Sequence, residues 1–92
     1  MEKLNGRECY NFISDSGHGW LAVKKSHITE FNLQDSISRF SYVKNNIVYL
    51  EEDCDANKFI QAYKNRFGYN PDYCESVVDG QSKIRRYEAY TQ

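Results

Sequence analysis

The residues best suited to chemistry fall in one short stretch, Asp15-Ser16-Gly17-His18-Gly19-Trp20. A histidine titrates near neutral pH, and an aspartate three residues away is placed to orient it, which is half of a general-base pair. Glycines on both sides of His18 let the backbone turn sharply and expose amide hydrogens, a concavity that suits an anion. The spacing stops short of a known phosphate loop, because no Gly-Lys-Ser/Thr and no triple-glycine dinucleotide pattern follows. The stretch also joins two strand-like runs, whereas phosphate loops usually lead into a helix whose N-terminus helps hold the anion. The plainest reading is a turn with Trp20 anchoring the core. A binding role for Asp15, His18 and Trp20 stands beside it, with catalysis further behind.

Three other groupings have residue types suited to chemistry. Glu51-Glu52-Asp53-Cys54-Asp55 places four carboxylates in five residues. A strand would send Glu51 and Glu52 to opposite faces, and the spacing and glycine of a calcium loop are missing. Acidic residues at a helix start are favourable without any metal. The expectation is therefore a helix N-terminus and no metal or other cofactor. Cys9, Cys54 and Cys74 form an odd, sparse set without Cys-x-x-Cys spacing, which reads as three reduced thiols. Cys54 sits at a helix start among carboxylates, and a Cys–His pair needs the fold to bring His18 or His27 close. Aromatic and basic residues mix at Arg39, Phe40, Tyr42 and Lys44 and again over 83–90. Such a mix can stack single-stranded bases, but interleaved acidic residues and the lack of a ribonucleoprotein signature make it a weak nucleic-acid signal.

Composition narrows the setting. Ninety-two residues make one domain, 1–92, and 12 basic against 13 acidic side chains leave a net charge of −1. That balance argues against a strongly basic chain built for nucleic acid or a membrane surface, and against an acidic DNA mimic or solvated tail. Hydrophobic residues at 40% and aromatics at 15% are enough for a core and argue against disorder. The first residues contain no apolar leader and no run is long enough for a membrane span, so the expectation is a cytoplasmic protein with no membrane partner.

The elements that must position these residues follow from periodicity. Residues 8–23 alternate as a hairpin around the 14–19 turn. Ser26 is placed to cap a short helix over 26–32, stopped by a left-handed Asn32. Residues 37–52 read as a hairpin around Asn45-Asn46 in a type I′ turn, pairing Tyr42 with Tyr49, Val43 with Val48 and Arg39 with Glu52. Ala56, Phe59, Ile60, Tyr63 and Phe67 form one stripe of a helix over 54–67, capped by Asp53 or Asp55 and stopped by Gly68. Residues 73–78 read as a strand, Asp79-Gly80 as a turn, and 82–87 as a last edge strand. The order ββα-ββα-β(β) predicts an α+β fold, a mainly antiparallel sheet of 4–6 strands with two helices on one face.

The stretches Ser14-Asp15-Ser16-Gly17-His18-Gly19-Trp20-Leu21 and Ser38 to Tyr42 with Tyr49-Leu50-Glu51-Glu52-Asp53-Cys54-Asp55 together resemble a family of small uncharacterised proteins encoded on bacterial plasmids and phages. The resemblance covers roughly residues 8–67. It implies an accessory protein of a mobile element but no residue roles. With no complete catalytic constellation and eight tyrosines for so small a core, the favoured reading is a non-catalytic protein-interaction module, a modulator or inhibitor of a host or element-encoded protein. Its expected contact residues are Asp15, His18, Trp20, Tyr42 and Tyr49. A small anionic-ligand binder or minor enzyme using the 15–20 loop is the alternative, and a single-stranded nucleic-acid binder is third. An open sheet edge would also allow a homodimer.

Overall fold

The computed structural model describes residues 4–91. Six strands make one mixed sheet, with two helices against one of its faces. Cys9–Ser14 (β1) and Gly19–Lys24 (β2) form the first hairpin, and Lys25–Glu30 (α1) follows without a break. Tyr42–Lys44 (β3) and Ile47–Glu51 (β4) form the second hairpin. Asp55–Phe67 (α2) leads to Asp72–Val77 (β5), and Glu88–Ala89 (β6) closes the chain. The strands lie in the order β5-β1-β2-β4-β3-β6. Every pairing is antiparallel except β1 with β5. That exception has a topological cause: α2 carries the chain back across the sheet, so β5 enters its edge in the direction of β1.

Alternation decides which side chains go inward. Tyr10, Leu21, Val23, Val48 and Leu50 point to one face, where Ile28 of α1 and Ala56, Phe59 and Tyr63 of α2 cover them. Fully burying each large aliphatic side chain stabilises by about 1.5–3 kcal/mol. Tyr10 meets Phe59 edge-on with ring centroids 5.2 Å apart, and Phe31 meets Phe59 at 5.5 Å. The α2 stripe thus packs where its spacing places it, and Gly68 ends the helix in the left-handed region (φ 84°), its N–H reaching the Lys64 carbonyl.

The pairings Tyr42 with Tyr49 and Val43 with Val48 form as expected, and Asn32 is left-handed (φ 57°). Five local expectations are corrected. The Asn45-Asn46 turn is not type I′, because Asn45 alone takes a positive φ. Ser26 does not cap α1; Lys24 holds the cap position with no side-chain bond, since the helix runs directly out of β2. The cap position of α2 is Cys54, with Asp55 one residue inside the helix. Arg39 does not face Glu52, because β3 starts only at Tyr42. Residues 38–41 are instead drawn to Asp55, which accepts hydrogen bonds from Ser38 N, Ser38 Oγ and Ser41 Oγ. Finally, 82–87 is not a strand. Ser82 Oγ accepts from Ile84 N and starts a 3₁₀ turn over Lys83–Arg86, which buries Ile84. Only Glu88–Ala89 then pairs, with β3.

Candidate functional site

The second face of the sheet, away from the helices, carries Ile13, Trp20, Ala22, Tyr42, Tyr49 and Glu51. The C-terminal arm lies along part of it, with Tyr49 and Tyr87 rings 5.2 Å apart and the Lys44 ammonium 4.8 Å from the Tyr87 ring. Beside Arg85 of the arm, the β1–β2 turn, the end of β4 and the 38–41 segment enclose an open cavity of about 380 Å³.

Each wall has a local cause. Trp20 is 1% exposed and forms the floor, its ring 6.4 Å from that of Tyr42. Its indole Nε1–H finds no acceptor among the described residues. His18 stands at the tip of the first hairpin, half exposed, with Nδ1 3.9 Å from Glu51 Oε1. Glu51 is held by its second oxygen, which accepts the Asp53 N–H at 2.8 Å. Opposite, the Asp55 bonds to Ser38 and Ser41 fix the short segment that bears Arg39 and Phe40. Burial works to raise the Asp55 pKa, but the Ser38 and Ser41 hydroxyls and the Lys58 ammonium outweigh it, and the carboxyl sits below its ordinary value. Phe40 is 71% exposed at the rim. Asp53, Cys54 and Arg85 complete the lining.

The expected binding residues divide. His18, Trp20 and Tyr42 come together in the cavity. Tyr49 faces the same side but lies against Tyr87, outside it. Trp20 is placed as a core anchor and offers almost no surface of its own. Asp15 does not orient His18. Its carboxylate is bound by Arg85, by the Ser82 N–H and by the N–H groups of Gly17 and His18. The Arg85 guanidinium, aided by those N–H groups, holds the Asp15 carboxyl well below the usual range.

The turn offers no anion cradle either. Its amides are used internally: Asp15 N on the His18 carbonyl, Ser16 N on the Gly80 carbonyl, and Gly17 and His18 N on Asp15. Gly17 and Gly19 do not adopt positive φ. Gly19 is short of space, and Gly17 packs against the end of Arg85. A Cβ on Gly19 would come within 2.5 Å of Phe12 Cζ, and one on Gly17 within 3.1 Å of Arg85 Nη2.

Arg39, Phe40 and Arg85 are the lining residues that a local reading places elsewhere. Arg39 and Phe40 carry the ordinary signature of an interface, an arginine beside an aromatic, but their alternation also fits a strand. Arg85 has no local signal, since its partner is 70 residues away. Cys54 and His18 do line one cavity, yet no hydrogen bond joins them among the described residues. No group of three potential metal ligands occurs among the described residues. No helix among them is long and apolar enough to cross a membrane.

These features define a small α+β domain with one mixed aromatic and charged cavity at a hairpin tip. No protein-family model, no curated protein and no solved structure matches this chain.

Proposed function

We propose that this chain is a small non-catalytic binding module that takes a segment of another protein at the His18–Phe40 cavity. The observation that carries this reading is the placement of Phe40. A large apolar side chain left in water beside an aromatic-floored cavity, with Arg39 next to it, has the anatomy of an interface anchor. Both charge signs line the cavity, Arg39 and Arg85 against Glu51 and Asp53. A segment pairing an apolar side chain with flanking charges therefore suits it. In the setting implied by the motif resemblance, the partner is a bacterial host or element-encoded protein that the chain modulates or inhibits in the cytoplasm. Catalysis is the weaker reading, because Asp15 is committed to Arg85 and Glu51 stands 3.9 Å from His18 Nδ1, beyond the hydrogen bond that would orient a base.

The test is selection of a random peptide library on the wild-type protein, with counter-selection on Arg39→Ala/Phe40→Ala. Both residues are exposed, so the variant should fold with a Tm close to wild type. Enriched peptides should bind wild type, lose at least tenfold affinity for the variant, and shift amide resonances at His18, Phe40 and Tyr42. Peptides that bind both proteins equally, or none enriched on wild type, would overturn the assignment.

A small anionic ligand is the second reading. It rests on Arg39 and His18 lining a cavity whose volume falls within the range of small-molecule sites. A thermal-shift screen of nucleotides and phosphorylated metabolites tests it. A hit abolished by His18→Ala supports it, and a hit that survives that change does not.

A further inference from the structure

Cys9 opens β1 and Cys74 sits in β5, an edge strand whose residues are all exposed. The parallel register pairs Asn11 with Cys74 and Cys9 with Asp72, so the two thiols are diagonal neighbours on one face of the sheet. Their sulfurs lie 3.2 Å apart, and both residues are accessible. A disulfide needs about 2.0 Å, so closure asks for roughly 1.2 Å of movement. An edge strand bonded on one side only can supply it.

We infer that Cys9 and Cys74 form a dithiol site that reacts with low-molecular-weight disulfides, closing a reversible cross-link that clamps β5 to the sheet. This rests on residues separate from the proposed binding cavity. The chemistry balances with a glutathione-type disulfide as oxidant. The Cys74 or Cys9 thiolate attacks one of its sulfurs and expels the first glutathione thiolate. The neighbouring thiolate then attacks the mixed disulfide at the protein sulfur and expels the second. Two protein thiols are oxidised, one disulfide is reduced, and the two protons end on the two released thiols. Proximity makes the second step intramolecular, so the mixed disulfide should not accumulate.

The clamp acts on a segment that needs one. β5 carries no member of the hydrophobic core and is held by its ladder to β1. It continues into the arm that supplies Ser82 and Arg85 to Asp15. A cross-link between residues 65 positions apart removes much of the unfolded chain's freedom. The expected rise in Tm is on the order of 10 °C.

The test is exposure of the purified native protein to glutathione disulfide, followed by peptide mapping and thermal melting. An internal Cys9–Cys74 cross-link should form, raise Tm and be reversed by dithiothreitol. Cys9→Ser should instead keep glutathione on Cys74 as a stable mixed disulfide, with no gain in Tm. Separate glutathione adducts on Cys9 and Cys74 in the wild type, or disulfide-linked dimers in place of the internal link, would overturn the dithiol site. An internal link that leaves Tm unchanged would overturn the clamp.

Discussion

Arg85 grips Asp15 with two hydrogen bonds, Nε to Oδ2 at 2.6 Å and Nη2 to Oδ1 at 2.8 Å. The Asp15 side chain is fully removed from solvent, and the guanidinium also lies 5.7 Å from the Trp20 ring centre. This bidentate pair ties the first hairpin to the C-terminal arm. Asp15→Asn keeps the shape but loses the charge and one acceptor, so Tm should fall. Hydrogen exchange should quicken first in 79–87 and in the β1–β2 turn, while β2 and β4 stay protected. Equal loss across all strands would contradict the assignment.

The same carboxylate sets the acid response. The Asp15 pKa is lowered, chiefly by Arg85, and that of Asp55 is lowered against the opposing effect of its burial. A depressed carboxyl contributes stability that is complete above its unfolded value, about 3.9, and is lost as pH falls toward the folded value. The urea midpoint of the wild type should therefore drop on acidification below about pH 4. The gap between wild type and Asp15→Asn should narrow over the same range. A constant gap would show that the pair contributes no linked stability.

At high pH the sign reverses. Burial, joined by the Glu8 hydrogen bond, pushes the Tyr63 phenol up to about 12, and burial with the nearby Glu8 charge drives Tyr10 further in the same direction. These phenols stay protonated in the fold while the unfolded chain ionises near 10. Stability should be complete below about pH 10 and fall above it. Phenolate absorbance followed together with circular dichroism should show some tyrosines ionising only as structure is lost. All eight titrating in a folded protein would refute this.

Gly19→Ala tests whether that glycine serves space. Its Cβ would press on the Phe12 ring, and overpacking of this kind costs about 1–3 kcal/mol. A urea denaturation curve reads the cost directly. An unchanged midpoint would mean that Phe12 swings aside freely.

Asp55→Ala should cost more, about 3 kcal/mol, because the Ser38 and Ser41 donors lose their acceptor in a buried place. It should also release the segment bearing Arg39 and Phe40, weakening peptide binding without touching a contact residue. Full binding in a destabilised Asp55→Ala protein would show that the rim does not need this anchor.

Much of the fold was legible where one local rule sufficed. The α2 stripe, the Gly68 stop, both hairpins and the Tyr42–Tyr49 register follow from spacing and the positions of turn-forming residues, although the Asn45-Asn46 turn is not of the type expected. The misreadings share a cause. Residues 38–41 alternate well enough for a strand, yet a buried Asp55 offers them better hydrogen bonds than a ladder would. Residues 82–87 alternate too, but Ser82 starts a tight turn that lets Ile84 bury and Arg85 reach Asp15.

The sequence by itself determined the element order as far as β5, the apolar stripe of α2 and the acid-rich start of that helix, because each depends on neighbours within a turn or two; it left open which face of the second hairpin turns inward. The tertiary structure alone decided that β5 lies parallel beside β1, that Asp15 serves Arg85 and not His18, and that Phe40 is left at the rim of a cavity. Those outcomes depend on partners far apart in the chain, and no periodicity records which distant charge or sulfur a side chain will meet once the sheet is assembled.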